Sequence, residues 1–155
     1  MKLTENFTLE EFTKSDTAKR LGINNTPTQK EAFALSRLCG FVLQPLRNHY
    51  QRPVIIKSGY RCQKLNEAVG GAKNSQHTKG EAADIVVAGI PAYKVAEYLE
   101  GTADYDQLIL ERRNSIDFVH VSWIGLGSNR IEVLNSPQKG QFLRGIPAPE
   151  DWYKY

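Results

Sequence analysis

The chain has 155 residues, 41% hydrophobic and 24% charged, with 20 Lys and Arg against 17 Asp and Glu for a net charge of +3. That length suits one domain, residues 1–155, able to bury a core without disulfide staples, and the composition excludes a disordered or fibrous chain. The dispersed basic excess is far below that of a dedicated nucleic-acid binder, so no nucleic-acid partner is expected, and no segment approaches the ~20 apolar residues of a membrane span.

The first residues include Glu5 and lead into no apolar run of signal-peptide length, so synthesis as a cytoplasmic chain is expected. Thr8 with Glu11 reads as a capping box opening a helical turn, with Phe7 and Phe12 spaced as a hydrophobic staple. Residues 14–25 are polar and carry the breakers Gly22, Asn24 and Asn25, which predicts a short helix and a loop. From 28 to about 50, Ala32, Leu35, Leu38, Val42, Leu46 and Tyr50 recur at steps of three and four, the pattern of the main helix, capped by Thr28 and Glu31. Pro45 should kink this helix or divide it in two.

Residues 54–57 read as a short β-branched strand running into Ser58, Gly59, Tyr60 and Arg61. A helix is predicted over 63–69, a loop over 70–74 and a strand over 82–87, followed by a helix over 91–100 with Pro91 in its first turn and Gly101 at its end. Residues 107–111 and 118–123 form the two strands of an antiparallel hairpin, joined by a polar turn over 112–115. Residues 130–134 suit a last edge strand, and the tail, rich in proline and glycine, ends in aromatics that read as a C-terminal anchor. Cys39 and Cys62 have no paired spacing and are taken as free thiols.

The chemistry centres on the stretch 75–84, where His77 and Asp84 flank Gly80, Ala82 and Ala83. With His120 they make a three-ligand set of the kind zinc hydrolases use, leaving a position for water. Asp84 would point inward from an apolar strand, which is costly unless it is paired or bound to a cation. A salt bridge to a buried arginine for Asp84, and a hydrogen-bonded core role for His120, are the alternatives. His49 lies near the end of the main helix, where a surface role suits it better. Asp117 precedes His120 by three residues, so the two share a site only if a bulge intervenes or the strand begins after Asp117. With that geometry Asp117 would be the general base; Glu111 is the rival, or else an exposed acid at a strand end.

Ser75, His77, Gly80, Ala82 and Asp84 follow the pattern S-x-H-x-x-G-x-A-x-D, Asp117 and His120 supply a downstream acid-x-x-His pair, and Ser58 to Arg61 an upstream strand-to-turn. In these motifs and their order, over about residues 28–134, the chain resembles the zinc D-alanyl-D-alanine carboxypeptidases and related peptidoglycan endopeptidases, which share a fold with the amino-terminal signalling domain of hedgehog. The resemblance implies an α+β fold, a small, mainly antiparallel sheet with helices packed on one face and the site on the other. It implies Zn²⁺ on His77, Asp84 and His120, Asp117 as general base, and Arg61 holding a substrate carboxylate or carbonyl and stabilising the developing oxyanion. Ser75 would lie around the metal ligands or in the substrate pocket. One departure is Asp117-Phe118-Val119-His120, where many members carry glutamate and x-Trp-His; some phage-type endopeptidases also use aspartate.

The implied function is a monomeric zinc metallopeptidase acting on peptidoglycan stem peptides, of carboxypeptidase or phage endolysin type, the latter reaching the wall at lysis. The alternative is a non-catalytic zinc-containing module of the same fold that binds wall peptides or a protein partner.

Overall fold

Side chains that satisfy the free N–H groups of a first turn start three of the helices. In the computed structural model, which describes residues 1–155, Thr8 and Glu11 form a capping box at α1 (Leu9–Thr13). Phe7 and Phe12 meet beside it with ring centroids 6.2 Å apart. Ser15 caps α2 (Asp16–Leu21), which ends at Gly22 in the left-handed region, and Thr28 with Glu31 caps α3 (Gln29–Leu38).

Pro45 divides the main helix, but through a π-helical turn rather than a break. α3 passes into that turn at Cys39–Leu43 and then into α4 (Gln44–Tyr50), with Pro45 in the first turn of α4. The Gln44 N–H reaches back five residues to the Cys39 carbonyl. The wider turn accommodates a residue with no N–H and a ring that crowds the preceding turn.

The sheet comprises β1 (Val54–Ser58), β2 (Ala82–Val87), β3 (Gln107–Arg113), β4 (Ile116–Ser122), β5 (Glu132–Ser136) and β6 (Leu143–Arg144) in the order β1-β2-β4-β3-β5-β6. Every neighbouring pair is antiparallel except β3 and β5. Helices α5 (Gln63–Ala68), α6 (Ala92–Thr102) and α7 (Pro149–Trp152) fill the connections and the C-terminus. α6 runs through Gly101, where the sequence placed its end, and closes at Ala103 in extended conformation.

The β3–β4 connection is tighter than the sequence suggested. Arg113 pairs with Ile116, leaving a two-residue turn at Asn114 and Ser115 with φ of 52° and 63°. Such turns match the right-handed twist of a hairpin. Arg112 and Asp117, expected in or beside the turn, are therefore paired inside the ladder.

Alternation along the strands sorts the two faces. Ala83, Ile85 and Val87 of β2, Leu108 and Leu110 of β3, and Val119 and Val121 of β4 form one buried cluster with Leu35, Leu38, Val42 and Leu46 of the main helix and Val95 and Leu99 of α6. Each large apolar side chain buried there contributes about 1.5–3 kcal/mol, and a slip by one residue would expose the whole set. Trp152 joins the same cluster and anchors the C-terminus. The opposite face carries Asp84, His120 and Glu111 along a cleft of about 1200 Å³. No helix is long and apolar enough to cross a membrane.

Candidate metal centre

Three local features bring His77 to the sheet. Ser75 caps a 3₁₀ turn, Gln76–Lys79, by accepting the His77 N–H at 3.3 Å, and the turn stops at Gly80. Gly80 has φ of 70°, and a Cβ there would lie 2.5 Å from the Glu31 carbonyl oxygen at the start of α3. Only glycine allows both the left-handed backbone and that approach. Arg61 N–H then donates to the His77 carbonyl at 3.2 Å, tying this turn to the segment after β1.

Asp84 and His120 arrive by register. They are directly paired between β2 and β4, and both project to the cleft face. His77 Nε2 lies 3.3 Å and His120 Nδ1 2.9 Å from the same oxygen, Asp84 Oδ1. The other oxygen, Oδ2, faces Arg61 Nη2 at 3.6 Å. Burial opposes ionisation of Asp84, but when the two imidazoles are protonated their charges and hydrogen bonds outweigh it and hold the carboxyl well below the ordinary range. Asp84 thus faces both an arginine, the alternative considered from sequence, and two histidines that together with it could hold a cation.

The donor set fits a zinc-like ion. One nitrogen from each histidine and one oxygen of Asp84 lie within 4.8 Å of one another. His77 Nδ1 is 2.7 Å from the Gly59 carbonyl, which only accepts, so the proton sits on Nδ1 and the Nε2 lone pair is turned to the centre. A backbone carbonyl behind a ligating imidazole is the usual means of fixing that tautomer. Two imidazoles and one carboxylate, partly buried at the floor of an open cleft, match a catalytic site with a position left for water.

Arg61 is held at the rim by Ser58 Oγ, 3.1 Å from Nε, and Asn66 Oδ1, 3.2 Å from Nη1. Asn66 is fully buried and donates to the Ala72 carbonyl at 2.8 Å, and Gly71 packs so closely that a Cβ would come within 2.1 Å of its Oδ1. Asn25 braces the same segment from the N-terminal side: it donates to the Thr13 and Tyr60 carbonyls, each at 3.0 Å, and accepts the Cys62 N–H at 2.8 Å. Sequence reasoning missed both asparagines. Asn25 read as a loop breaker, and no short-range pattern announces a buried amide whose partners lie far along the chain.

His77, Asp84, His120, Arg61 and Ser75 all line one cleft, and Asp117 does not. β4 begins at Ile116 with regular pairing to β3, so neither condition for Asp117 to reach the site is met. It points to the other face, where Arg112 donates to it through Nε at 2.6 Å and Nη2 at 2.9 Å and Trp152 through Nε1 at 2.8 Å. The acid on the cleft face is Glu111, paired with Phe118 and one ladder step diagonal to His120. Burial, then the charge of Asp84, pushes its carboxyl up, against the pull of His120, Arg113 and Arg61. Glu111 is thus a mostly buried cleft acid, not the exposed strand-end group that its position suggested.

Comparison with known proteins agrees with this geometry. No curated protein matches the chain significantly. The family model described as Peptidase M15 matches residues 5–122, a span that includes Arg61, His77, Asp84, Glu111 and His120. A match over most of the chain, together with a cleft built around those residues, assigns the protein to the peptidase M15 family.

Proposed function

We propose that this protein is a zinc-dependent endopeptidase of peptidoglycan stem peptides, of the type that phages release at lysis. The observation that carries the reading is the convergence of His77 Nε2, His120 Nδ1 and an Asp84 oxygen in a cleft of a peptidase-family chain. Zn²⁺ held by these atoms supplies Lewis acidity toward the scissile carbonyl and acidifies a water.

The chain's own residues do the rest. Glu111 takes a proton from the attacking water as the water oxygen bonds to the carbonyl carbon. It then delivers that proton to the amide nitrogen as the C–N bond breaks. Arg61, fixed by Ser58 and Asn66, turns its planar donors to the carbonyl oxygen as charge develops there, or to a neighbouring substrate carboxylate. Ser75 acts by capping the turn that presents His77.

The cleft runs across the sheet from Lys14–Thr17 beside β1 to Lys139 and Phe142 near β6, with the three ligands between. Room on both sides of the scissile bond supports internal cleavage over removal of a terminal residue. Peptidoglycan as substrate puts the site of action outside the membrane.

Mass spectrometry of defined muropeptides after incubation with zinc-loaded and chelator-treated protein tests the reading. We expect one new pair of fragments, absent after chelation, and loss of both stoichiometric zinc and cleavage in His77→Ala. Full zinc occupancy without cleavage of any muropeptide would favour the binding module over the enzyme.

A further inference from the structure

Arg113, the last residue of β3, has its guanidinium fixed on several sides. Nη1 donates to the Arg112 carbonyl at 2.6 Å and to the Ser136 carbonyl at 3.2 Å, while Nη2 donates to Ser136 Oγ at 3.0 Å. Ser136 is fully buried at the end of β5 and directs its own hydroxyl proton to the Gln138 carbonyl at 3.2 Å, which leaves its lone pairs for Arg113. Nη2 also lies 2.8 Å from Glu111 Oε2. Exposed ion pairs hold two long side chains loosely and contribute little. Here both partners are mostly buried, with side-chain exposures of 26% and 13%, and the arginine is braced by main-chain carbonyls from two strands.

We propose that Arg113 is a positioning residue for the peptidase reaction: anchored by Ser136, it clamps Oε2 of Glu111 and leaves Oε1 as the oxygen that exchanges the proton. The clamp keeps the carboxylate in one rotamer on a cleft wall where Asp84 repels it and His120 and Arg61 attract it. This rests on the proposed peptidase function with Glu111 as base. The rival role for Arg113, which also lines the cleft, is to bind a substrate carboxylate directly.

The two roles separate in steady-state kinetics. A residue acting through the base lowers kcat, whereas one that binds substrate and transition state alike raises KM. In full-length zinc-loaded protein acting on a defined muropeptide, Arg113→Ala is expected to lower kcat about 10- to 100-fold, the cost of a misplaced catalytic group, with little change in KM. Added guanidine should restore part of that loss. On a Glu111→Gln background the same substitution should cost nothing further and guanidine should rescue nothing, because the two act as a unit. Ser136→Ala, which removes one anchor, should lower kcat less, and Arg113→Lys should fall between it and Arg113→Ala.

A raised KM with kcat retained, or an undiminished loss on the Glu111→Gln background, overturns the positioning role. Should Arg113→Ala fail to fold, Arg113→Lys and Ser136→Ala decide by the same split, with zinc content and thermal unfolding as controls. Full activity in Glu111→Gln would instead remove Glu111 as the base. An inactive Glu111→Gln beside a wild-type Arg113→Ala would overturn the clamp alone.

Discussion

Glu111 and Asp117 sit on one hairpin, each close to an arginine, and face opposite sides of the sheet. The fold fills the lone pairs of Asp117: Arg112 grips both oxygens and Trp152 adds a third donor. The Arg112 guanidinium also lies over the Trp152 ring, 4.8 Å from its centroid. Glu111 has one partner, Arg113, and a cleft beyond it. The contrast separates an acid that holds structure from one that can exchange a proton. What distinguishes them is how many of their lone pairs the fold has already claimed, not the residue type or the nearness of a metal ligand in sequence.

The comparison breaks most readily at catalysis. Glu111→Gln should lower kcat by roughly 10²- to 10⁴-fold, the usual contribution of a general base, with stability unchanged. Asp117→Asn should remain an active peptidase. Steady-state assays on one muropeptide read both, and an inactive Asp117→Asn beside an active Glu111→Gln would return the base role to Asp117.

Stability should show the reverse ranking. Asp117→Ala strands Arg112 and the Trp152 N–H, and denaturant unfolding should report a loss of about 1–3 kcal/mol, the upper end being that of a fully buried pair. Trp152→Phe removes one donor to the same carboxylate and some buried area, for a loss of about 1 kcal/mol. A loss of comparable size in Glu111→Gln would mean that the two acids are not different in kind.

Asp106 sharpens the contrast with a smaller effect. It is buried and accepts from the Arg130 backbone and guanidinium and from Gln76, next to His77. Burial works against its ionisation, but these hydrogen bonds prevail and hold its carboxyl below the ordinary range. A depressed folded-state value means stability present in full above about pH 4, the unfolded value for aspartate, and lost as pH falls through the folded value. The stability difference between wild type and Asp106→Asn should therefore be constant near neutrality and shrink below about pH 4. A difference that does not change with pH would exclude this linkage.

How much of this was legible in the sequence depended on the range of the signal. The capping boxes of Thr8 and Thr28, the main helix and the strands around Asp84 and His120 rest on neighbours a few residues apart, and the structure has them. The S-x-H-x-x-G-x-A-x-D spacing pointed to His77 and Asp84, and the structure brings the two together beside Gly80, whose approach to α3 only glycine allows. Asp117 was misplaced by turn length: a polar turn over 112–115 leaves the face of β4 open, whereas the two-residue turn at Asn114 and Ser115 decides it. That polar residues such as Asn114 and Ser115 could both adopt positive φ was the available clue. The pairing of Asp117 with Trp152 links β4 to the far C-terminus, beyond the reach of any local pattern.

The two-residue turn also constrains how such a site can change. Partners in the β3–β4 ladder run from Arg113 with Ile116 to Leu108 with Val121, so their residue numbers add to a constant. Odd positions of β3 and even positions of β4 then face the cleft. Parity, rather than proximity, governs where an acid can be useful: a base can move from 111 to 109 or 113 by substitution alone, but never to 110 or 112. A residue inserted in the turn itself can be taken up by a three-residue loop, but one inserted within β3 or β4 without a bulge reverses the parity of the positions beyond it and drives Leu108 and Leu110, or Val119 and Val121, out of the core. Point substitution can retune the chemistry of this hairpin, while changes in strand length threaten the whole fold.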